Sequence, residues 1–516
     1  MLKINQETCK KCTVCAKNCP IGAIAVTYDE GGKKPVRVEI TDKCVECNVC
    51  RRVCSFSSIE NAERAEGVVQ CSSCSIQCKV PVGSTGACKR YTNEGGKLVR
   101  NRALVVEALP QTEVADNIKK PIITAVGAGT NYPCIRPAPH IVCENRDGVD
   151  VVTTVTEAPL SYSGVLVKLD TNTYIGEEGD TVYAEGKPVG LVHTEEYGSK
   201  MVYVGGANRL TGKDGGFATA RTVCALANGE EVELTVKTDA GDGKKKSIKI
   251  VCQQGKAPII NGKQETTMRI GCGSATIGLL ADVMKECVDE CIVIDHHVTG
   301  LFSEHLAGKE VGMTWSGVVP NATKSTVGRY FGGHGDGIGG TVLQTPRDAI
   351  KSVDMSIAHA GMTILVTNTT GEVGALFEVQ ADGDVKEIPM SDKALKVVNA
   401  IKSNCQSSTT SVMYCGGTGG SARGGVCHKP IAITEAVHDG RAHLTIGGAP
   451  AYVYPGGGIN FIVDTAKVVN KAFTWVPTPA TVAPVEYTMT LEDYKKINGH
   501  LNHIRRVEDF PEYQKK

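Results

Sequence analysis

Two cysteine runs near the N-terminus constrain this chain more than any other feature of its 516 residues. Cys9-x2-Cys12-x2-Cys15-x3-Cys19-Pro20 is followed by Cys44-x2-Cys47-x2-Cys50-x3-Cys54. In paired runs of this kind the first three thiolates of each run hold one iron–sulfur cube, and the fourth crosses to the other. That logic predicts one [4Fe-4S] cluster on Cys9, Cys12, Cys15 and Cys54, and a second on Cys44, Cys47, Cys50 and Cys19. Short spacings let the backbone curl around each cube and donate N–H bonds to its sulfurs. Zinc, the structural alternative, normally needs only two CxxC pairs per metal.

Residues 1–62 resemble bacterial two-cluster ferredoxins, with Ser55 standing where the second run usually has proline. A further group follows, Cys71-x2-Cys74-x3-Cys78-x9-Cys88, and the turn-rich stretch Pro81–Gly86 can return Cys88 to the other three. Four thiolates suit a third cubane, with a four-cysteine zinc site as the alternative. The spacing is not the CxxxCxxC of radical enzymes, so radical chemistry is not expected. Three clusters in series would carry single electrons toward the rest of the chain.

Of 22 cysteines, twelve precede residue 90, a density that signals metal ligation in a reducing compartment. The opening Met1–Gln6 lacks the apolar core of a secretory signal, and no apolar run reaches the ~18 residues of a membrane span, so a cytoplasmic location is expected. Lys plus Arg and Asp plus Glu both number 56, which argues against nucleic acid or a membrane surface as partner. A homo-oligomer stays open. The 58 glycines against 5% aromatics point to Gly-lined clefts rather than a large aromatic core.

The whole reads as a multidomain α+β protein: a two-cluster ferredoxin-like domain (1–62), a third four-cysteine module (63–105), a connector and β-rich domain (106–265), an α/β domain (266–486) and a charged tail (487–516). Pro133, Pro137 and Pro139 mark the connector; Val165–Leu169, Glu231–Val236 and Ser247–Val251 are β-type runs. From residue 267 a short strand, a tight turn at Gly271–Thr276, a helix over Ile277–Val288 and a second strand ending at Asp295 predict a βαβ unit. A Gly-rich turn at a helix N-terminus followed by an acid at a strand end is a layout that cradles phosphate, which nominates Gly271, Gly273, Ser274, Thr276 and Asp295 for a flavin, FMN or FAD. The third glycine of the dinucleotide fingerprint is replaced by Thr276. Equally, Gly273 could serve only close helix–strand packing. Ser274-Ala275-Thr276 also resembles the Ser-x-Ala-Thr element that carries FMN on threonine in some respiratory subunits, without the residue between Ser and Ala.

His296 and His297 follow Asp295 directly, and His305 lies close behind; clustered histidines suit proton delivery near neutral pH, although each alone has a structural alternative. Gly-rich loops at 332–340, 416–425 and 455–460 read as surface turns or ligand loops, the second presenting Arg423 to a carboxylate or phosphate. Ile364–Asn368 predicts a strand and Asp392–Lys402 an amphipathic helix, while the end of the chain from Tyr487 reads as a charged surface helix and coil.

The order of these features resembles the 6-hydroxynicotinate reductase family. The likeness is carried by the cysteine groups, Arg269–Gly278, Asp295-His296-His297, Gly328-Arg329-Tyr330-Phe331 and Gly416–Arg423. It implies a ferredoxin-dependent reductase that saturates a ring double bond of a small heteroaromatic carboxylate, and a flavin to convert single electrons into a two-electron transfer. On that basis His296, His297 or His305 would supply the proton, and Arg329 or Arg423 would hold the carboxylate. The rival from another class is an iron–sulfur electron-transfer subunit whose C-terminal half docks a catalytic partner.

Overall fold

The computed structural model describes residues 1–63, 66–71, 76–101, 137–138, 140–160, 162–171, 173–194, 200–239, 245–268, 273–295, 298–324, 329–330, 337–454, 458–476 and 480–509. The first two cysteine runs fold as mirrored halves. Helices Val14–Lys17 and Val49–Val53 each begin one residue before the third cysteine of their run, Cys15 and Cys50. Each is entered through residues in the left-handed region, Lys11 and Thr13 in one run and Glu46 and Asn48 in the other, at φ 54, 60, 55 and 64°. Successive positive φ values wind a short loop tightly enough to turn several side chains toward one centre. The strand Leu2–Ile4 pairs with Ile59–Asn61 and ties the two ends of this head together. Two small hairpins, Val68–Gln70 with Lys79–Pro81 and Tyr91–Glu94 with Lys97–Arg100, build the third cysteine module.

Next comes a β-barrel. Its antiparallel ladder runs from His140–Arg146 through Val149–Leu160, Ala480–Thr490, His443–Ile446, Ala449–Tyr454, Ile459–Asp464 and Thr410–Thr418. It continues through Gly164–Leu169, Lys200–Gly205, Lys187–Thr194, Thr181–Ala184, Val232–Asp239 and Lys245–Cys252. Alternation sets the walls: in Ala480–Thr490 the odd-numbered Ala483, Val485, Tyr487 and Met489 join the barrel core. The helix Lys213–Ala227 packs on this barrel, burying Phe217, Ala220 and Val223 among others.

The barrel is discontinuous in sequence, which corrects two boundaries drawn above. Residues 410–490 belong with 140–252, so 266–486 is not one α/β domain. Nor is the chain after Tyr487 a surface tail: Tyr487 and Tyr494 are both fully buried, and Arg505–Arg506 pairs with Val142–Cys143. The apolar spacing of Val482, Val485, Tyr487 and Met489 is that of a strand buried on both faces. The Gly416–Gly425 stretch is likewise no surface turn. Thr410–Thr418 carries its glycines as a strand, where a Cβ on Gly416 would stand 3.0 Å from Phe461, and a short helix, Gly420–Val426, follows.

The α/β region is an insertion between the barrel strands, entered and left through the small ladder Thr267–Met268 with Gln406–Ser407. Its seven-stranded sheet runs in the order Thr323–Lys324, Arg329–Tyr330, Val298–Leu301, Glu290–Asp295, Thr363–Asn368, Gly374–Val379, Val385–Ile388. Glu290–Asp295 and Thr363–Asn368 are its parallel pair. One face is covered by Gly273–Cys287 and Asp392–Ser403, which bury Ile277, Leu280, Met284, Val397, Val398 and Ile401. Ser391 caps the second helix by accepting from the Ala394 N–H. The predicted βαβ unit does not form. Thr267–Met268 is only two residues long and pairs with Gln406–Ser407, outside the sheet that holds Glu290–Asp295.

Candidate functional site

Cys9, Cys12, Cys15 and Cys54 line one apolar hollow with Ile4, Val38 and Phe56. Cys19, Cys44, Cys47 and Cys50 line a second with Leu2, Ile24 and Ile40. The fourth cysteine of each run therefore sits with the first three of the other, the crossed grouping read from the spacing. Backbone N–H groups approach the sulfurs: Lys11 to Cys9 Sγ at 3.4 Å, Glu46 to Cys44 Sγ at 3.4 Å and Ala23 to Cys19 Sγ at 3.2 Å. Burial pushes the Cys15 thiol up to about 11 and the Cys47 and Cys50 thiols up to about 12, with neighbouring thiols adding to the rise. Thiolates at these positions need a cationic centre to offset desolvation, as a bound iron cluster provides. Among the described residues, no three His, Cys, Asp or Glu side chains converge closely enough for a single metal ion. Four thiolates around each hollow are the donor set that a four-iron cube takes.

Cys71, Cys78 and Cys88 gather in one apolar cluster with Val45, Val80 and Cys47, while Cys74 lies outside the described residues. This module rests directly on the barrel. Val476, Ala480 and Val482 pack against Cys88 and Ile76, and the buried Arg90 reaches the carbonyls of Ala472 and Val482. Beside this contact, Val49, Val53 and Phe217 form a further apolar patch with Cys15, Cys47 and Trp475. An open cleft of about 550 Å³ runs along the junction between Lys89, Arg221, Glu230 and Trp475.

In the insertion, Gly273 is explained by packing. A Cβ there would stand 2.3 Å from the Val293 carbonyl oxygen and 2.8 Å from the Gly300 nitrogen, so the helix start lies against the sheet backbone. Thr276 is fully buried within the helix, Ser274 is half-buried, and Asp295 is 1% exposed at the end of its strand. Gly271, His296 and His297 lie outside the described residues. The described part of the turn is a packed helix start rather than an open phosphate cradle, and Thr276 offers no accessible hydroxyl for an FMN ester. Asp295 and the backbone of Arg329 come to one edge, since Val298 pairs with both Asp295 and Tyr330. His305 does not join them. It lies beyond Leu301, which pairs with Ile292 at the other end of the strand, and its Nδ1 accepts the Ala307 N–H to cap its own helix. Burial also lowers its pKa.

Arg423 is elsewhere again, on the barrel helix Gly420–Val426, and is 9% exposed. Its Nη1 donates to Thr434 Oγ1 at 2.6 Å and to the Pro430 carbonyl at 3.5 Å, and its buried Nε has no partner. Among the described residues no carboxylate pairs with it. Behind it, Tyr494 donates to the Val426 carbonyl at 2.8 Å and His500 Nε2 meets the Gly424 carbonyl at 2.8 Å, fixing the helix. Tyr487, its hydroxyl 2.7 Å from Thr418 Oγ1, is held protonated by burial. The strand Thr410–Thr418 begins at the insertion's neck, where the Ser408 N–H donates to the Thr266 carbonyl, and ends near Arg423. At ~3.3 Å per residue that strand spans roughly 26 Å. The insertion's neck and Arg423 are therefore at opposite ends of it, a separation that sequence order does not reveal.

No family model matches the chain, and no solved structure matches it. A curated 6-hydroxynicotinate reductase from Eubacterium barkeri is 68% identical over 510 residues, covering 99% of this chain and 100% of that protein. The chain therefore belongs to the 6-hydroxynicotinate reductase family and is an oxidoreductase.

Proposed function

We propose that this protein reduces 6-hydroxynicotinate to 6-oxo-1,4,5,6-tetrahydronicotinate, fed by ferredoxin or a similar low-potential carrier. The 68% identity over 99% of the chain to a reductase of that name is the observation that carries the reading. Three [4Fe-4S] clusters are assigned to the crossed groups Cys9/Cys12/Cys15/Cys54 and Cys19/Cys44/Cys47/Cys50 and to Cys71/Cys74/Cys78/Cys88. Such clusters supply single electrons at low potential, ~−400 mV in plant-type ferredoxins, as breaking aromaticity requires. A flavin is proposed as a noncovalently held converter between single electrons and a two-electron reduction. No step is derived through it, because the described residues at Gly273–Thr276 do not form its seat.

The chain's own work on the substrate is assigned to the barrel. Arg423 holds the carboxylate, since a buried guanidinium with no carboxylate beside it is costly unless an anion completes it. Tyr487 remains protonated within its electrostatic reach, a hydroxyl suited to donating a hydrogen bond to an oxygen of the ring. Asp295 and the backbone of Arg329 share a second edge, in the insertion. Anaerobic assay of the isolated, cluster-loaded chain with reduced ferredoxin or dithionite tests the proposal through the ultraviolet absorbance of 6-hydroxynicotinate. An iron-replete protein that leaves this absorbance unchanged would refute it.

A further inference from the structure

The three cysteine groups differ in how deeply they are covered. Cys88 of the third group packs under Val476, Ala480 and Val482, and Cys47 of the second packs with Phe217 and Trp475. In the first group Cys15 packs against that same patch, but Cys12 is exposed, and the hollow is rimmed by Lys10 and by Phe56, which is 45% exposed. Elsewhere on the head, Lys3 pairs with Glu60, Arg37 with Glu39 and Lys79 with Glu46, while Lys33, Lys34 and Lys43 have no such pair among the described residues. Lys10 and Lys11, inside the first cysteine loop, and Lys17, at the end of the helix that follows, have no carboxylate within ion-pair distance among the described residues. Glu7 is the exposed acid nearby.

We propose that the face made by Cys12, Lys10, Lys11, Lys17 and Phe56 is the docking surface for an acidic one-electron carrier protein. This rests on the reading of the chain as an electron-fed reductase. Lysines around an exposed aromatic ring steer a partner of opposite charge and give its contact a dry centre. They also bring the carrier's centre to Cys12, the exposed cysteine of the three groups among the described residues. Each docking event moves one electron: the carrier is oxidised by one unit, the group at Cys9, Cys12, Cys15 and Cys54 is reduced by one, and no bond or proton changes place. Brief, salt-weakened association suits such a transfer, because the oxidised carrier must leave before the next arrives.

The test uses the full chain, cluster-loaded and anaerobic, as wild type and as the double variant Lys10→Glu/Lys17→Glu, with Lys11 left alone because its φ is positive. Oxidised two-cluster ferredoxin is titrated calorimetrically at ~0.01 M and ~0.15 M salt. The expected result is a dissociation constant at least about tenfold weaker in the double variant at low salt, and a wild-type affinity that falls with salt. Iron content, the visible spectrum and turnover driven by reduced methyl viologen should match wild type. Lys17→Glu alone, between Cys15 and Cys19, should give a smaller loss, and its iron content and visible spectrum separate a lost contact from damage to the cluster. An unchanged dissociation constant, salt-independent binding or no wild-type binding overturns the docking surface. Failure of viologen-driven turnover in wild type would instead overturn the reductase reading, while the titration still decides the docking surface.

Discussion

Replacing Arg423 with methionine should cost the enzyme its substrate without costing the protein its stability. Arg423 is 9% exposed and has two hydrogen bonds, to Thr434 Oγ1 and the Pro430 carbonyl, with no carboxylate partner among the described residues. Losing charge-assisted bonds of that kind forfeits about 1.5–3 kcal/mol each. Removing the charge recovers a desolvation penalty of several kcal/mol, and exchanging buried ionic groups for apolar residues of similar volume is often neutral or stabilising by about 1–4 kcal/mol. Arg423→Met also leaves no orphan, because Thr434 Oγ1 keeps its 3.2 Å bond to the Pro430 carbonyl. The net change should lie between about zero and +2 kcal/mol.

Activity should move the other way. Losing a buried guanidinium–carboxylate contact in the bound complex costs about 3–5 kcal/mol, or roughly 10²–10⁴ in kcat/KM, expressed mainly in KM if Arg423 binds ground and transition states alike. Anaerobic melting curves of cluster-loaded protein and steady-state assays on 6-hydroxynicotinate read the two effects side by side. A variant that melts far below wild type, or one whose kcat/KM stays within about threefold of it, would show that Arg423 is a structural residue and that the substrate sits elsewhere.

Three other perturbations follow from particular contacts. Gly273→Ala places a Cβ 2.3 Å from the Val293 carbonyl oxygen, backbone that cannot swing aside, so the insertion should lose more than about 2 kcal/mol and become protease-sensitive with or without ligands. Cys54→Ala should lower iron from about twelve to about eight atoms per chain and remove the spectral signature of the first group, not of the second run to which Cys54 belongs by sequence. Glu290 is fully buried, accepts from the N–H groups of Cys291 and Ser303 and from the Ser316 hydroxyl, and is held above its ordinary value by burial. The folded state therefore binds this proton more tightly than the unfolded state. Its contribution is fully present below the ordinary carboxylate value of 4.5 and fades as pH rises through the raised folded value. Glu290→Gln keeps a side-chain oxygen to accept from the two N–H groups and should flatten that decline, so melting curves at several pH values above 4.5 should diverge in favour of the variant; a parallel pair would exclude Glu290 as the titrating group.

The head was legible in the sequence because its geometry is local. Four short spacings and the left-handed residues between them decide which thiols meet, and the crossed pairing of Cys19 and Cys54 follows from two runs of one kind. Strands such as Gly164–Leu169 and Thr363–Asn368, and the helix Asp392–Ser403, were legible from period alone. What period does not carry is which distant strand completes a sheet. Val485 and Tyr487 announce burial, but nothing in them names Val149–Leu160 as the neighbour more than 300 residues earlier. The glycines misled for a related reason. At Gly273 and Gly416 the missing Cβ makes room for the Val293 carbonyl and the Phe461 ring, neighbours set by tertiary pairing, so a pattern that resembles a ligand turn is a packing device. Arg423 was visible as a cation in a glycine-rich stretch, whereas its isolation from any described carboxylate is a property of the folded barrel alone.

One strand carries both ends of the proposed reaction. In Ala480–Thr490 the side chains alternate across the barrel wall, so Ala480 and Val482 meet the apolar cluster around Cys88 on the outside. On the inside the same strand presents Thr481, bonded to Tyr414 and Ser163, and Tyr487, bonded to Thr418 within reach of Arg423. Val482 and Tyr487 are five residues apart, roughly 17 Å along the strand, with one layer of backbone between their faces. A substrate held by Arg423 would thus lie on the far side of a single sheet from the most deeply covered cysteine group. The insertion reaches the barrel at Thr410, the opposite end of the strand that leads toward Arg423. Placing the acid in the barrel therefore makes one demand of the head that its docking already meets, with Arg90 and the row Val476, Ala480 and Val482 holding the third group against the wall.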